Sequence, residues 1–209
     1  ESCLYFDTAA TAQKPRAVID AISHFYAKEY ATVHRGVYKR SLQATDHYCS
    51  VREKVRSFFG AARSEEIIFT RGTTESINLV AQCFGKAFLQ PGDEVIVSGL
   101  EHHSNLVPWQ WVCQERGCHL RIIPVDVDGD LRLDAYASLL GPKTRLVALA
   151  HIANSIGTLN PIREMITEAH QVGACVLIDG AQSASHLSIN VQDLDAVFFV
   201  CSGHKLYGP

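Results

Sequence analysis

From Pro91 onward the sequence alternates between two kinds of run, and that alternation constrains the fold more than any other feature. Short, largely apolar stretches occur at Glu94–Ser98, Leu120–Pro124, Leu146–Ala150, Cys175–Asp179 and Ala196–Cys201. Between them lie segments of helical character at about 104–116, 134–140 and 161–172, the last ended by Gly173. Short β-rich runs alternating with helices imply an α/β fold: a mostly parallel sheet with helices on both faces. In such sheets ligands sit beyond the carboxyl ends of the strands. There this chain keeps its unusual polar residues.

The first third of the chain reads differently. Past Pro15, the residues Val18, Ile19, Ile22, Phe25 and Tyr26 recur at helical spacing and predict an amphipathic helix over roughly 15–30. A second helix is expected over about 43–59, with Ala44, Tyr48, Val51, Val55 and Phe58 on one face and Gly60 just past its end. Ile67–Thr70 reads as a short strand. Gly72-Thr73-Thr74-Glu75 then opens a helix carrying Ile77, Val80, Ala81 and Phe84. With no internal repeat, low-complexity tract or Pro/Ser-rich linker, one domain is the simplest count.

A formal net charge of −3 over 209 residues gives no electrostatic reason to expect nucleic acid or an anionic membrane as partner. The apolar runs fall far short of the about 20 residues that span a bilayer, and no charged start followed by an apolar signal segment is present. A cytoplasmic protein is the default expectation. The seven cysteines (Cys3, Cys49, Cys83, Cys113, Cys118, Cys175 and Cys201) form no CxxC pair and read as reduced, structural thiols.

Three features carry the chemistry. Arg71-Gly72-Thr73-Thr74-Glu75 follows the expected strand and begins a helix, so free amides, the positive end of the helix dipole and two hydroxyls make an anion cradle suited to a phosphate. A Thr cap on a Gly turn would read the same way. Neither a G-x-G-x-x-G nor a Walker A sequence is present, which disfavours a dinucleotide or nucleoside triphosphate. Asp179 ends a very apolar strand, where a carboxylate is costly to desolvate unless something cationic meets it; a protonated pyridine nitrogen would, and so would loop amides. Lys205, about 26 residues later in Ser202-Gly203-His204-Lys205, is placed to become a nucleophilic amine for Schiff-base chemistry. Jointly they point to pyridoxal 5′-phosphate (PLP). Beyond the strand Glu94–Ser98, His102 could stack on a flat cofactor and move protons. The adjacent His103 raises a metal reading, but no third ligand stands at i+3 or i+4, and no metal is expected. Asn154 could donate to a ring oxygen or a substrate carboxylate, or serve as a turn residue.

At these residues the sequence resembles the class V aminotransferase family of PLP-dependent enzymes (fold type I). Within it the chain resembles the SufS-type cysteine desulfurases, a group that includes selenocysteine lyase-like enzymes. The resemblance runs along essentially the whole chain. It is carried by Tyr5-Phe6-Asp7-Thr8-Ala9-Ala10, Ala12-Gln13-Lys14-Pro15, Val33-His34-Arg35-Gly36, Arg71 through Glu75, Glu101-His102-His103-Ser104-Asn105 and Val107-Pro108-Trp109-Gln110. It continues through Asn154 with Gly157-Thr158, Asp179-Gly180-Ala181-Gln182 and Ser202 through Pro209.

The resemblance implies a PLP-binding large domain over residues 15–209, a remnant of an N-terminal arm over 1–14, and roles for single residues. Thr73 and Thr74 would bind the cofactor phosphate, with Ser202 and His204 reaching it. His102 would stack on the ring as acid or base, Asp179 would pair with the pyridine nitrogen, and Gln182 would contact the phenolic oxygen. Asn154 would help fix the ring and substrate carboxylate. Lys205 would hold the cofactor covalently and move the substrate's α-proton, and His34 and Arg35 would line the substrate entrance. The implied reaction takes L-cysteine, or L-selenocysteine, to L-alanine in a homodimer, passing sulfur through a SufE-type acceptor toward iron–sulfur assembly. In the family the persulfide cysteine and a carboxylate-binding arginine belong to a later, smaller domain. With abrupt ends at Glu1 and Pro209, the chain is expected to be a fragment without that domain and inactive alone. Another class V lyase or aminotransferase and a non-catalytic scaffold are the competing readings.

Overall fold

Nearly continuous apolar strands can be satisfied only if neighbours flank them on both edges and helices cover both faces. The computed structural model, which describes residues 4–209, has this arrangement. By its internal contacts the chain divides into two units. The first gathers the described residues up to Ile68 with Ser188–Gln192 and Gly203–Pro209; the second comprises Phe69–Leu187 and Asp193–Ser202.

In the first unit, α1 (Arg16–His24) continues into a single π turn at Phe25–Glu29, so the α-helix ends earlier than the apolar spacing predicts. The Tyr30 amide reaches back to the Phe25 carbonyl, and Tyr26 stacks on Tyr30 with ring centroids 5.5 Å apart. The residues of α1 share an apolar face, yet none is buried. Helix α2 (Lys39–Phe59) starts four residues before its expected position and closes on Gly60 in the left-handed conformation. The expected strand Ile67–Thr70 does not form. The Arg52 guanidinium takes the Ile67 carbonyl, and Ile68 and Phe69 face solvent. At the other end of the sequence, the Gly203–Lys205 turn is tied to the segment before α1. The Ala12 amide and the Lys14 ammonium both donate to the His204 carbonyl, at 3.1 and 2.8 Å.

The second unit opens with α3 (Thr73–Phe88) and carries the sheet. Its strands are β1 (Glu94–Ser98), β2 (His119–Ile123), β3 (Thr144–Ala150), β4 (Cys175–Asp179) and β5 (Phe198–Val200), all parallel and ordered β2-β1-β3-β4-β5. The strands lie where the apolar runs predict, β5 being shorter than expected. Helix α4 (Val107–Arg116) follows β1, α5 (Leu133–Leu139) follows β2, α6 (Ile162–Gln171) follows β3, and a short α7 (Val191–Leu194) precedes β5. A separate 3-10 turn at His103–Asn105 occupies the start of the helix expected from 104.

Because successive strand residues face opposite ways, the sheet has two apolar faces. Val95, Val97, Leu146, Ala148 and Leu177 pack with Ile77 and Phe84 of α3 and Trp109 and Val112 of α4. Ile96, Val147, Leu149, Val176 and Ile178, also buried, alternate with them along the same strands. Strand order reverses between β1 and β3, the place where open parallel sheets bind ligands. Among the described residues no helix is long and apolar enough to cross a membrane.

Candidate active site

The carboxyl ends of β1, β3 and β4 bring two acidic side chains toward the switch point. Asp179, the last residue of β4, is 5% exposed and pairs in register with Ala150 of β3. One of its oxygens accepts from the Ala181 amide at 2.9 Å, and its carbonyl accepts from the His151 amide. The following turn depends on glycine: a Cβ on Gly180 would lie 2.1 Å from the Phe199 ring.

The second acid is Glu101. Some of its surface is open, but its carboxylate is surrounded by protein. Oε1 accepts from the Ser98 hydroxyl at 2.5 Å and the Ala150 amide at 2.8 Å, while Oε2 accepts from the Asn105 side-chain amide at 2.6 Å. Burial pushes this carboxyl up to about 7 against the pull of those three donors, and the Asp179 charge pushes the same way. In the sequence Glu101 stands only as part of the Glu101–Asn105 motif, with no role of its own. Its spacing of four from Asn105, and of four again to Trp109, was the available signal.

His102 follows directly. Its ring is exposed, and Nδ1 accepts from the Ser104 amide at 3.1 Å, with the Ser104 hydroxyl at 2.8 Å. Nδ1 is therefore an acceptor, and in the neutral ring the proton sits on Nε2. The His103 ring stands edge-on to it, and the described residues contain no group of three His, Cys, Asp or Glu that could hold a metal ion.

The anion cradle forms at the start of α3. Gly72 precedes it with φ 142°, a left-handed value that favours glycine. The Ser202 hydroxyl, just beyond β5, accepts from the Thr73 amide at 2.9 Å and lies 2.7 Å from the Thr73 hydroxyl; both side chains are buried. Thr74 is exposed, so its hydroxyl stays open to a ligand. Arg71 pairs with Glu75 beside it. Gln182 is half-buried after β4. Asn154 is exposed in the turn whose ends pair at Ile152 and Leu159.

Thr73, Thr74, His102, Asn154, Asp179, Gln182 and Ser202 thus belong to the second unit, while His34, Arg35, His204 and Lys205 belong to the first. In the first unit His34 is exposed with φ 68°, its amide donates to the Thr45 hydroxyl, and its ring meets Tyr48 edge-on at 5.4 Å. A non-glycine residue held there stores roughly 1–3 kcal/mol of strain, a feature found at ligand clamps. Arg35 is exposed beside it. Burial, with the nearby Lys205 and Lys14 charges, holds the His204 imidazole below its usual range.

The cysteines do not all follow the structural expectation. Cys113 is buried and Cys201 half-buried, their thiols pushed by burial to about 12 and about 11, but Cys49 and Cys83 are exposed. Cys3 lies outside the described residues.

The donor set of the second unit fits a flat ligand with a phosphate on one end and a basic ring nitrogen on the other. Amides and a hydroxyl at the α3 N-terminus can meet an anion, and a buried carboxylate can meet a cation. A cysteine desulfurase of Pectobacterium atrosepticum is 54% identical over 205 residues, covering 98% of this chain and 50% of its own. The apo structure of cysteine desulfurase from Thermococcus onnurineus NA1 matches with a TM-score of 0.94 at 40% identity, over 99% of this chain and 51% of that one. The Escherichia coli cysteine desulfurase CsdA matches with a TM-score of 0.88 at 44% identity, over 97% and 51%. The chain spans about half the length of these relatives. The aminotransferase class-V family model matches residues 4–209, nearly the whole chain, and the chain belongs to that family.

Proposed function

We propose that this chain is the cofactor-binding part of a PLP-dependent cysteine desulfurase, a cytoplasmic homodimer that converts L-cysteine to L-alanine. The sulfur is retained on the enzyme and passed to a SufE-type acceptor for iron–sulfur assembly. The observation that carries the reading is the pairing, within one unit, of an open anion cradle at α3 with a buried carboxylate at the end of β4.

When bound, PLP supplies the electron sink that makes the substrate's α-proton removable. The α3 amides and the Thr74 hydroxyl would hold the phosphate, with Thr73 and Ser202 fixing the first turn of the helix. Asp179 would keep a proton on the ring nitrogen, because a buried carboxylate favours a cationic neighbour. His102 would cover the ring, and with Nδ1 engaged by Ser104 its Nε2 would be the atom that exchanges protons. Gln182 and Asn154 orient the ring oxygen and the substrate carboxylate. The Lys205 amine would hold the cofactor and move the α-proton, His204 would contribute to the phosphate end, and His34 and Arg35 would line the approach. Lys14 is committed elsewhere, its ammonium donating to the Ala12 and His204 carbonyls.

Borohydride reduction of the PLP-loaded full-length protein, followed by peptide mapping, tests the reading. The pyridoxyl group is expected on Lys205, with alanine released from L-cysteine by the unreduced enzyme. A label on Lys14 or Lys143 would sink the assignment.

A further inference from the structure

Glu101 immediately precedes His102 in the loop after β1, and both oxygens of its side chain accept hydrogen bonds from protein groups. Oε1 is shared by donors from two adjacent strand ends, Ser98 of β1 and Ala150 of β3. Oε2 takes the Asn105 amide on the far side of His102. Asn105 is itself fully buried, and its orientation is fixed because its oxygen accepts from the Trp109 indole at 3.0 Å. The Asn105 backbone amide donates to the His102 carbonyl at 2.8 Å. His102 is thus exposed, yet the residues on either side of its turn are locked to each other and to the strands.

We infer that Glu101 is a positioning residue that sets His102 over the switch point, acting through the Ser98–Glu101–Asn105–Trp109 chain of hydrogen bonds. The inference deepens the proposed function and rests on its reading of His102 as the imidazole that faces the cofactor. With Glu101 ionised, donor and acceptor assignments along the chain admit one pattern. Trp109 can only donate, so Asn105 presents its oxygen to the indole and its NH2 to Glu101. Ser98 accepts from the Leu100 amide at 3.2 Å, leaving its hydroxyl proton for Glu101. Three donors therefore converge on Glu101, and only a side chain with acceptors at both oxygens satisfies them. A glutamine there would set NH2 against NH2 at Asn105, and Asn105 cannot turn over without facing two donors at Trp109. Converting Asn105 to aspartate at the same time restores every pairing: the new amide donates to one aspartate oxygen while Trp109 keeps the other. The pair exchanges donor for acceptor without changing size or net charge.

The test compares full-length wild type, Glu101→Gln, and Glu101→Gln combined with Asn105→Asp. Ring-nitrogen chemical shifts of His102, assigned through their loss in His102→Gln, report the tautomer in the cofactor-free protein and are independent of the PLP reading. Expected are one Nε2–H tautomer in wild type, a mixture in Glu101→Gln and the single tautomer again in the double variant. In the PLP-loaded protein, the visible circular dichroism of the cofactor should weaken in Glu101→Gln and recover in the double variant. In parallel, kcat should fall roughly ten- to hundredfold with KM little changed, as loss of one buried, charge-assisted bond implies. Should Glu101→Gln not fold, the double variant and Ser98→Ala carry the same readouts. A protein lacking PLP on Lys205 but showing the three expected tautomer patterns would overturn the proposed function and leave this inference standing. Native ring shifts and dichroism in a Glu101→Gln protein that is merely less stable overturn the inference, and so does a double variant no better than the single one.

Discussion

In the second unit β3 and β4 bury almost every side chain they carry, whereas α1 in the first unit buries none. Both segments announce themselves by apolar residues at regular spacing. The difference lies in what the spacing can mean. A central parallel strand has neighbours on both edges and helices on both faces, so an apolar residue in it has nowhere else to be. A helix has one stripe, and periodicity says which residues share that stripe without saying what covers it. Ile19, Ile22 and Tyr26 share a stripe and remain exposed.

The largest way to test this contrast is Leu177→Ala. Leu177 is 0% exposed in the middle of β4, within the cluster that includes Ile77, Phe84 and Trp109. Removing three methyl-sized groups from such a site costs the transfer energy and leaves a cavity, about 4 kcal/mol together. Urea titration of the full-length protein should show this as a lower midpoint at unchanged slope. A loss below about 1 kcal/mol would mean that this sheet is not the packed core described.

The next effect is electrostatic and sharpens the contrast within the second unit. Burial raises the Glu101 carboxyl to about 7, so the folded chain holds a proton there that an unfolded chain has released. In the window from about 4.5 to about 7 the native state binds more protons. Stability from this group is therefore complete below the lower value and is lost as pH rises through the upper one. At about 1.4 kcal/mol per unit, the loss amounts to about 3 kcal/mol. Burial of His151 lowers its imidazole and acts with the opposite sign, stability rising with pH up to its ordinary range. The useful quantity is thus the difference between wild type and Glu101→Gln. Urea titrations at pH 5 and pH 8 should show a steeper fall in wild type. Equal falls would mean that Glu101 is as ionised at pH 5 as at pH 8.

How much of this was legible in the sequence depends on the distance between partners. The strands were legible because their burial is written in consecutive residues, and Asp179 was legible because one carboxylate ends an apolar run. Ile67–Thr70 was misread because its carbonyl partner is a side chain 15 residues earlier, Arg52, which no local pattern reveals. Glu101 was overlooked for a related reason: its donors arrive from Ser98, Asn105 and, 49 residues away, Ala150. The pairing of Ser202 with Thr73 spans 129 residues and only the fold creates it. Ser202→Ala leaves the first buried amide of α3 without its acceptor and should cost about 1–2 kcal/mol in the same titration. No measurable loss would show that the Thr73 amide finds another partner.

The smallest expected effect returns to the first unit and repeats the first substitution there. Leu42 lies on α2 and is 54% exposed, with no cavity to leave behind. Alanine removes some partly covered apolar surface but is at least as good a helix former, and the two terms nearly cancel. Leu42→Ala should therefore change stability by less than about 1 kcal/mol, against about 4 for the same chemical change at Leu177. Measured in one protein under one set of conditions, the pair isolates burial from residue type. A cost at Leu42 approaching that at Leu177 would break the comparison, because only a surface packed against that face in solution could make a half-exposed leucine behave like a core residue.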